Sequence, residues 1–227
     1  MRVCAAPPFA VDAPRVKQTR WRAHDLLRLK RLAIAEDEPS WVREAFARAP
    51  FAVVRRAEAA AGFVAAGVRG VTRSQRFGTW INDQDIESCV SPESLSDVEP
   101  WAERAAWPAF VALAALPRAF AGSGLDTFVW GPTGGAGFEL ATRVPTISTS
   151  SDLDILIRMP DRCDWATIAA LSDLLAEVAQ RAGTRIDAQL ETPSGGVALA
   201  ELATGKPRVL ARANDGARLV ADPWQPS

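Results

Sequence analysis

A chain of 227 residues that is 48% hydrophobic and holds eight tryptophans has material for one large core or two small ones. It contains no apolar run of membrane-spanning length and no signal-like apolar stretch near its start. Cys4, Cys89 and Cys163 are too widely spaced for a zinc site or a disulfide framework, so a cytoplasmic chain with reduced thiols is expected. The net charge of -1 conceals a basic front, +8 over residues 1–82, and an acidic back, -9 over residues 83–227. Arginine supplies 23 of the 26 basic residues, and its planar fork suits phosphate and carboxylate. That asymmetry suggests a polyanion or an acidic partner, although a GC-rich genome alone also favours Arg over Lys. Neither a nucleic acid nor a membrane is expected as a partner.

Along the chain, "SWVREAFARA" (40–49) predicts a short helix opened by Ser40. The stretches 51–56, 62–70 and 75–81 predict strands, being β-branched or aromatic and bounded by Gly or polar breaks. Residues 1–85 are therefore expected to form a small, basic, β-rich N-terminal domain. The acidic, proline-bearing stretch 86–100 is expected to link it to a second domain, 101–227. There, "WAERAAWPAFVALAALPRAFA" (101–121) predicts a helix kinked or split by Pro108 and Pro117. Short strands follow at 126–131 and 152–159. The clearest helix is 164–183, with Ile168, Leu171, Leu174, Leu175 and Val178 on one face and Gly183 closing it. Residues 184–192 alternate as a strand, "GVALAELAT" predicts a short helix, and two extended pieces end the chain. The expected fold class is α/β (α+β).

The chemistry concentrates in "GPTGGAGFELATRVPTISTSSDLDILIR" (131–158). Residues two apart on a strand share a face, so Asp152 and Asp154 project side by side at a strand mouth. Two carboxylates that close repel each other unless a cation lies between them. Mg²⁺ (or Mn²⁺) suits the position, since it takes a few carboxylate oxygens, water and substrate phosphate. Asp187 becomes a third acid if its strand pairs beside the first, and Asp152, Asp154 and Asp187 together could hold two metal ions. The bare backbone of Gly131, Thr133, Gly134 and Gly135 can approach phosphate oxygens, although neither a P-loop nor a dinucleotide fingerprint is present. A second pair, Asp83 and Asp85, has no apolar strand behind it and reads as a solvated loop. Ser151 reads as a turn cap or a phosphate ligand. Arg69, Arg73 and Arg76 are candidates for donor phosphates or an acidic protein face, or merely solvate a hairpin. Lys206 reads as a surface lysine, His24 and Glu139 as structural, and Trp130 as core packing or an adenine platform.

The combination "FVWGPTG…SSDLDILI" resembles the nucleotidyltransferase superfamily, an apolar strand, a small-residue turn and then Asp-x-Asp. Pro132 stands where that pattern has Ser, and the spacer to Asp152 is long. Together with "HDLL" (24–27), "RIDAQLETPSGGVALAELA" (185–203) and "LVADPW" (219–224), the motif is similar to the malonate decarboxylase holo-acyl-carrier-protein synthases, the phosphoribosyl-dephospho-CoA transferases. The resemblance implies a nucleotidyltransferase-like mixed sheet flanked by helices. It also implies transfer of phosphoribosyl-dephospho-CoA from its triphosphate donor, triphosphoribosyl-dephospho-CoA, onto a serine of the apo acyl carrier protein subunit of malonate decarboxylase, with loss of pyrophosphate. In that scheme Asp152 and Asp154 hold metal, Asp187 is a third acid or base, and the glycine turn cradles the triphosphate. An ATP-using nucleotidyltransferase and a non-catalytic nucleotide- or carrier-binding module are the competing readings.

Overall fold

A computed structural model describes residues 2–3, 13–16 and 20–225, so Cys4 lies outside the described residues. The chain divides into two compact units, Met1–Ser91 and Pro92–Ser227. The first contains β1 (Arg2–Val3), β2 (Arg15–Val16), β3 (Leu26–Leu29), α1 (Trp41–Arg48), β4 (Phe51–Val54), β5 (Ala59–Ala60), β6 (Phe63–Arg69), β7 (Arg76–Asn82) and β8 (Ile86–Val90). The second contains α2 (Pro108–Phe120), β9 (Val129–Pro132), α3 (Gly134–Thr142), β10 (Leu153–Arg158), α4 (Trp165–Ala182), β11 (Ile186–Thr192), β12 (Gly195–Ala198), α5 (Leu199–Leu202), β13 (Val209–Ala213) and β14 (Gly216–Val220). The class is α+β, as expected.

In the first unit a sheet runs β1-β7-β6-β4-β3-β8, antiparallel except for the parallel pair β1 and β7. Alternation along β6 puts Val64, Ala66 and Val68 in one core with Phe77, Leu27, Leu29 and, from α1, Val42 and Ala45. Ser40 stands at the N-cap of α1 but makes no side-chain capping bond. Ile86–Val90 is a strand on the sheet edge, beside β3, where a linker was expected. Its sequence, IESCV, has no apolar alternation because its middle residues are exposed. Asp83 and Asp85 lie in a 3₁₀ turn, where Asp83 accepts from the Trp21 indole and Asp85 pairs with Arg31.

In the second unit a sheet runs β14-β13-β12-β11-β10-β9. Its strands are antiparallel except for β10 and β11, which are parallel and joined through α4. Leu153, Ile155, Leu156 and Ile157 of β10 and Leu190 of β11 are buried and form the middle of the sheet. Asp164 caps α4 by accepting from the Thr167 N–H at 2.7 Å, and Gly183 ends it in the left-handed conformation. Pro108 starts α2, where its missing N–H costs nothing, and Pro117 falls in the last turns of the same helix. The expected helix over "GVALAELAT" is split: Gly195–Ala198 pair with β11, and only Leu199–Leu202 are helical. Sheet pairing overrides the local alanine-rich preference there.

The expected glycine turn is largely helix, since Gly134 and Gly135 form the first residues of α3. Two close contacts fasten the entry to that helix. A Cβ on Gly131 would lie 1.9 Å from the Pro92 carbonyl oxygen, and one on Gly137 would lie 2.5 Å from the Pro132 carbonyl oxygen. The turn at Pro92–Leu95 is further tied to β10 by Glu93, whose carboxylate accepts from Arg158 Nε at 2.5 Å.

Candidate functional site

The site gathers at the N-terminal ends of the parallel strands β10 and β11. Asp154 and Asp187 are in register across the pair, and Asp152 stands two residues before Asp154, so all three share a sheet face. Thr133 donates its backbone N–H to the Asp154 carbonyl at 2.8 Å, which ties the start of α3 to the acidic strand. Gly134, exposed and at φ +58°, lies so close that a Cβ on it would come within 1.9 Å of Asp154 Oδ2. The Asp154 carboxylate therefore lies against the first residue of α3, where the helix dipole favours negative charge.

Asp152 and Asp187 converge on a third side chain. Nη2 of Arg185 donates to Oδ2 of Asp152 and to Oδ2 of Asp187, each at 2.8 Å. The carboxylates of Asp187 and then Asp152 raise the guanidinium above its ordinary pKa. Arg185 was not among the sequence candidates. The signal was present, since Arg185 and Asp187 are two apart on one strand face and an arginine there offsets the clustered acids.

The three expected acids do not form a metal-binding cluster by themselves. Among the described residues no three His, Cys, Asp or Glu side chains are gathered closely enough to hold an ion. Asp152 and Asp187 share the Arg185 guanidinium, and Asp154 packs on Gly134. The donor chemistry nevertheless suits Mg²⁺ or Mn²⁺: every ligand is a hard oxygen, and a cationic nitrogen already lies between two of the carboxylates.

A cavity of about 400 Å³ adjoins Asp152, lined also by Arg185, Thr184, Thr149, Ser150 and the end of α4. Ser151 closes the turn before Asp152: its Oγ accepts from the Ser148 N–H at 2.9 Å and its carbonyl accepts from Thr184 Oγ1 at 3.1 Å. The first of these bonds is internal to the turn. The segment from α3 to this turn is anchored by a buried pair. Glu139 is 1% exposed and binds the Arg104 guanidinium through both oxygens. Its Oε2 also accepts from the N–H groups of Thr146 (2.7 Å) and Ile147 (3.1 Å), while Arg104 donates to the Ile147 carbonyl at 2.9 Å and stacks on Trp107. Burial pushes the Glu139 carboxyl upward, but the Arg104 bond and the two backbone donors outweigh it and hold it below its ordinary range.

Other expected residues fall elsewhere. Gly131 and Thr133 are buried, and the space a side chain on Gly131 would need is filled by Pro92. Gly131 thus serves close packing, and Gly134 and Gly135 are the accessible part of the turn. Trp130 packs on Phe120 with ring centroids 5.4 Å apart. Arg69 and Arg76 are paired across the β6–β7 hairpin, and Arg73 is exposed on its tip, all in the first unit. Arg76 donates to the Gln75 carbonyl at 3.1 Å. His24, at φ +75°, has its Nε2 3.1 Å from an Arg56 guanidinium nitrogen in the same unit. Lys206 is exposed.

Comparison with known proteins gives this geometry a context. Residues 94–223 match the C-terminal domain of the phosphoribosyl-dephospho-CoA transferase MdcG, and residues 22–92 match the N-terminal domain of the same family. A protein named phosphoribosyl-dephospho-CoA transferase from Pseudomonas putida (strain GB-1) is 42% identical over 204 residues, covering 89% of this chain and 95% of its own. One of the same name from Pseudomonas putida (strain W619) is 43% identical over 204 residues, covering 88% and 94%. Another from Klebsiella pneumoniae (strain 342) is 38% identical over 211 residues, covering 89% and 96%. No solved structure matches this chain. A mixed sheet with acids at its strand mouths beside a glycine-started helix is here the frame of a transferase. The chain belongs to the phosphoribosyl-dephospho-CoA transferase family.

Proposed function

We propose that this transferase moves the phosphoribosyl-dephospho-CoA group from triphosphoribosyl-dephospho-CoA to a serine of the apo acyl carrier subunit of malonate decarboxylase. The serine oxygen forms a bond to the α-phosphorus of the 5″-triphosphate. The bond from that phosphorus to the oxygen bridging to the β-phosphorus breaks, and pyrophosphate leaves with the electron pair. The hydroxyl proton passes to solvent water at the open mouth of the site, where the Asp187 side chain is 45% exposed. Asp152, Asp154 and Asp187 would hold Mg²⁺ or Mn²⁺, with substrate oxygens and water filling the remaining positions. Such an ion, when bound, neutralises charge developing on the phosphates. Gly134 and Gly135 leave their backbone open to the polyphosphate at the start of α3.

The observation that carries this reading is the convergence of Asp152 and Asp187 on one cationic nitrogen, with Asp154 beside them against Gly134. The test is mass spectrometry of the apo acyl carrier after incubation with this enzyme, Mg²⁺ and the donor. The carrier gains the mass of one phosphoribosyl-dephospho-CoA group, and the gain disappears with Asp154→Asn. A gain from ATP instead, by the mass of an adenylyl group, contradicts the assigned donor.

A further inference from the structure

We infer that Arg185 is an internal cation that competes with the metal ion for Asp152 and Asp187 and is released to bind donor phosphate when the ion takes them. The inference rests on the metal reading given above.

Two carboxylates facing a common point require positive charge between them. Here Nη2 of Arg185 supplies it, at 2.8 Å from each of Asp152 and Asp187. A guanidinium does not lose its proton at any working pH, so it leaves this position only by moving. It is held loosely: the Arg185 side chain is 63% exposed, and ion pairs at that exposure are weak. One positive charge also leaves the pair of acids with a net charge of about -1, whereas a divalent ion neutralises it. A small ion with twice the charge and a preference for oxygen ligands therefore has the advantage at this point.

The displaced guanidinium is not stranded. Arg185 is the one cation among the residues lining the cavity beside Asp152, whose other walls are hydroxyls, an amide and the end of α4. While paired with two carboxylates it offers little to an anion. Once an ion takes those carboxylates, its planar fork is free for a phosphate, its best-matched partner. Ion binding and donor binding are then coupled, and the coupling acts equally in both directions.

The test measures Mn²⁺ binding by electron paramagnetic resonance in the whole protein without donor, so it does not depend on turnover. Arg185→Gln binds Mn²⁺ about tenfold more tightly than wild type because the competitor is gone, and Arg185→Lys, which keeps the charge, lies nearer wild type. With Mn²⁺ saturating, Arg185→Gln binds 3′-dephospho-CoA about tenfold more weakly, and without Mn²⁺ the two proteins bind it alike. Unchanged or weaker Mn²⁺ binding in Arg185→Gln overturns the proposal. Tighter Mn²⁺ with unaltered dephospho-CoA binding overturns its phosphate half. Asp152→Asn separates the two readings. If it abolishes Mn²⁺ binding while Arg185→Gln has no effect, the metal reading stands and this inference fails. If wild type and Arg185→Gln both fail to bind Mn²⁺, both fall.

Discussion

Gly134 and Asp154 are packed so closely that a side chain at 134 must displace the carboxylate: a Cβ there would come within 1.9 Å of Oδ2 of Asp154. The contact joins the first residue of α3 to the acidic strand β10, and so fixes the distance between an open helix start and the carboxylates. Two features that look separate in the sequence, twenty residues apart, are one surface.

The first prediction separates that contact from ordinary backbone strain. Gly134→Ala places a side chain at φ +58° and drives it into Asp154. The strain costs about 1–2 kcal/mol, and displacing the carboxylate lowers transfer by at least about 100-fold. Gly62→Ala, at φ +79° with nothing within 4 Å, is the control. It loses similar stability but keeps its turnover. Denaturant melts and carrier-labelling rates on both variants decide the matter. Equal rates would show that the contact has no role in transfer.

Asp152→Asn and Asp154→Asn remove charge at half-buried positions without changing side-chain size. Each is expected to lower turnover by about 100-fold or more while moving the unfolding midpoint little, because neither carboxylate is in the apolar core. Chelation of wild type with EDTA is expected to have the same effect on rate, reversed by Mg²⁺ or Mn²⁺. Wild-type rates in either variant, or in EDTA, contradict the metal assignment.

Glu139 supplies a pH-dependent part of stability. Its folded pKa lies below the ordinary value, since Arg104 and two backbone donors outweigh burial. The folded state therefore binds its proton less readily than the unfolded one. Its contribution is complete above the ordinary carboxylate range and is lost as pH falls through the lower folded value. Glu139→Ala leaves Arg104, 11% exposed, without its partner and costs about 3–5 kcal/mol at neutral pH. The difference from wild type narrows on acidification. A difference that stays constant from neutral pH to pH 3 rules out this account.

Arg73→Ala combined with Arg76→Ala tests the basic hairpin of the first unit. The expected result is a KM for donor or for apo carrier raised about tenfold, more at low salt than at high, with kcat unchanged. Thermal unfolding is little altered, because Arg73 is exposed and Arg76 lies at the mouth of the same hairpin, donating to the Thr72 and Gln75 carbonyls. Unaltered constants would reduce the hairpin to solvated surface.

Much of this protein was legible in its sequence. The 3.6-residue spacing of Ile168, Leu171, Leu175 and Val178, with a closing Gly, defines α4 to within a residue at each end. The alternation of polar and apolar residues marks β10 and β11 and places Asp152, Asp154 and Asp187 at strand mouths. Those are local periodicities, set by backbone geometry alone. The edge strand β8 carries no such period, because most of its side chains meet solvent. Gly134 and Gly137 of α3 contradict helix propensity, but Asp154 and Pro132 occupy the space their side chains would need. Which charges meet was decided only in three dimensions. The register of β10 on β11 sets Asp154 beside Asp187 and brings Arg185 between Asp187 and Asp152, thirty-odd residues away in sequence. Spacing along a chain prescribes which face a side chain takes, but strand pairing selects its neighbours, and electrostatics acts between neighbours.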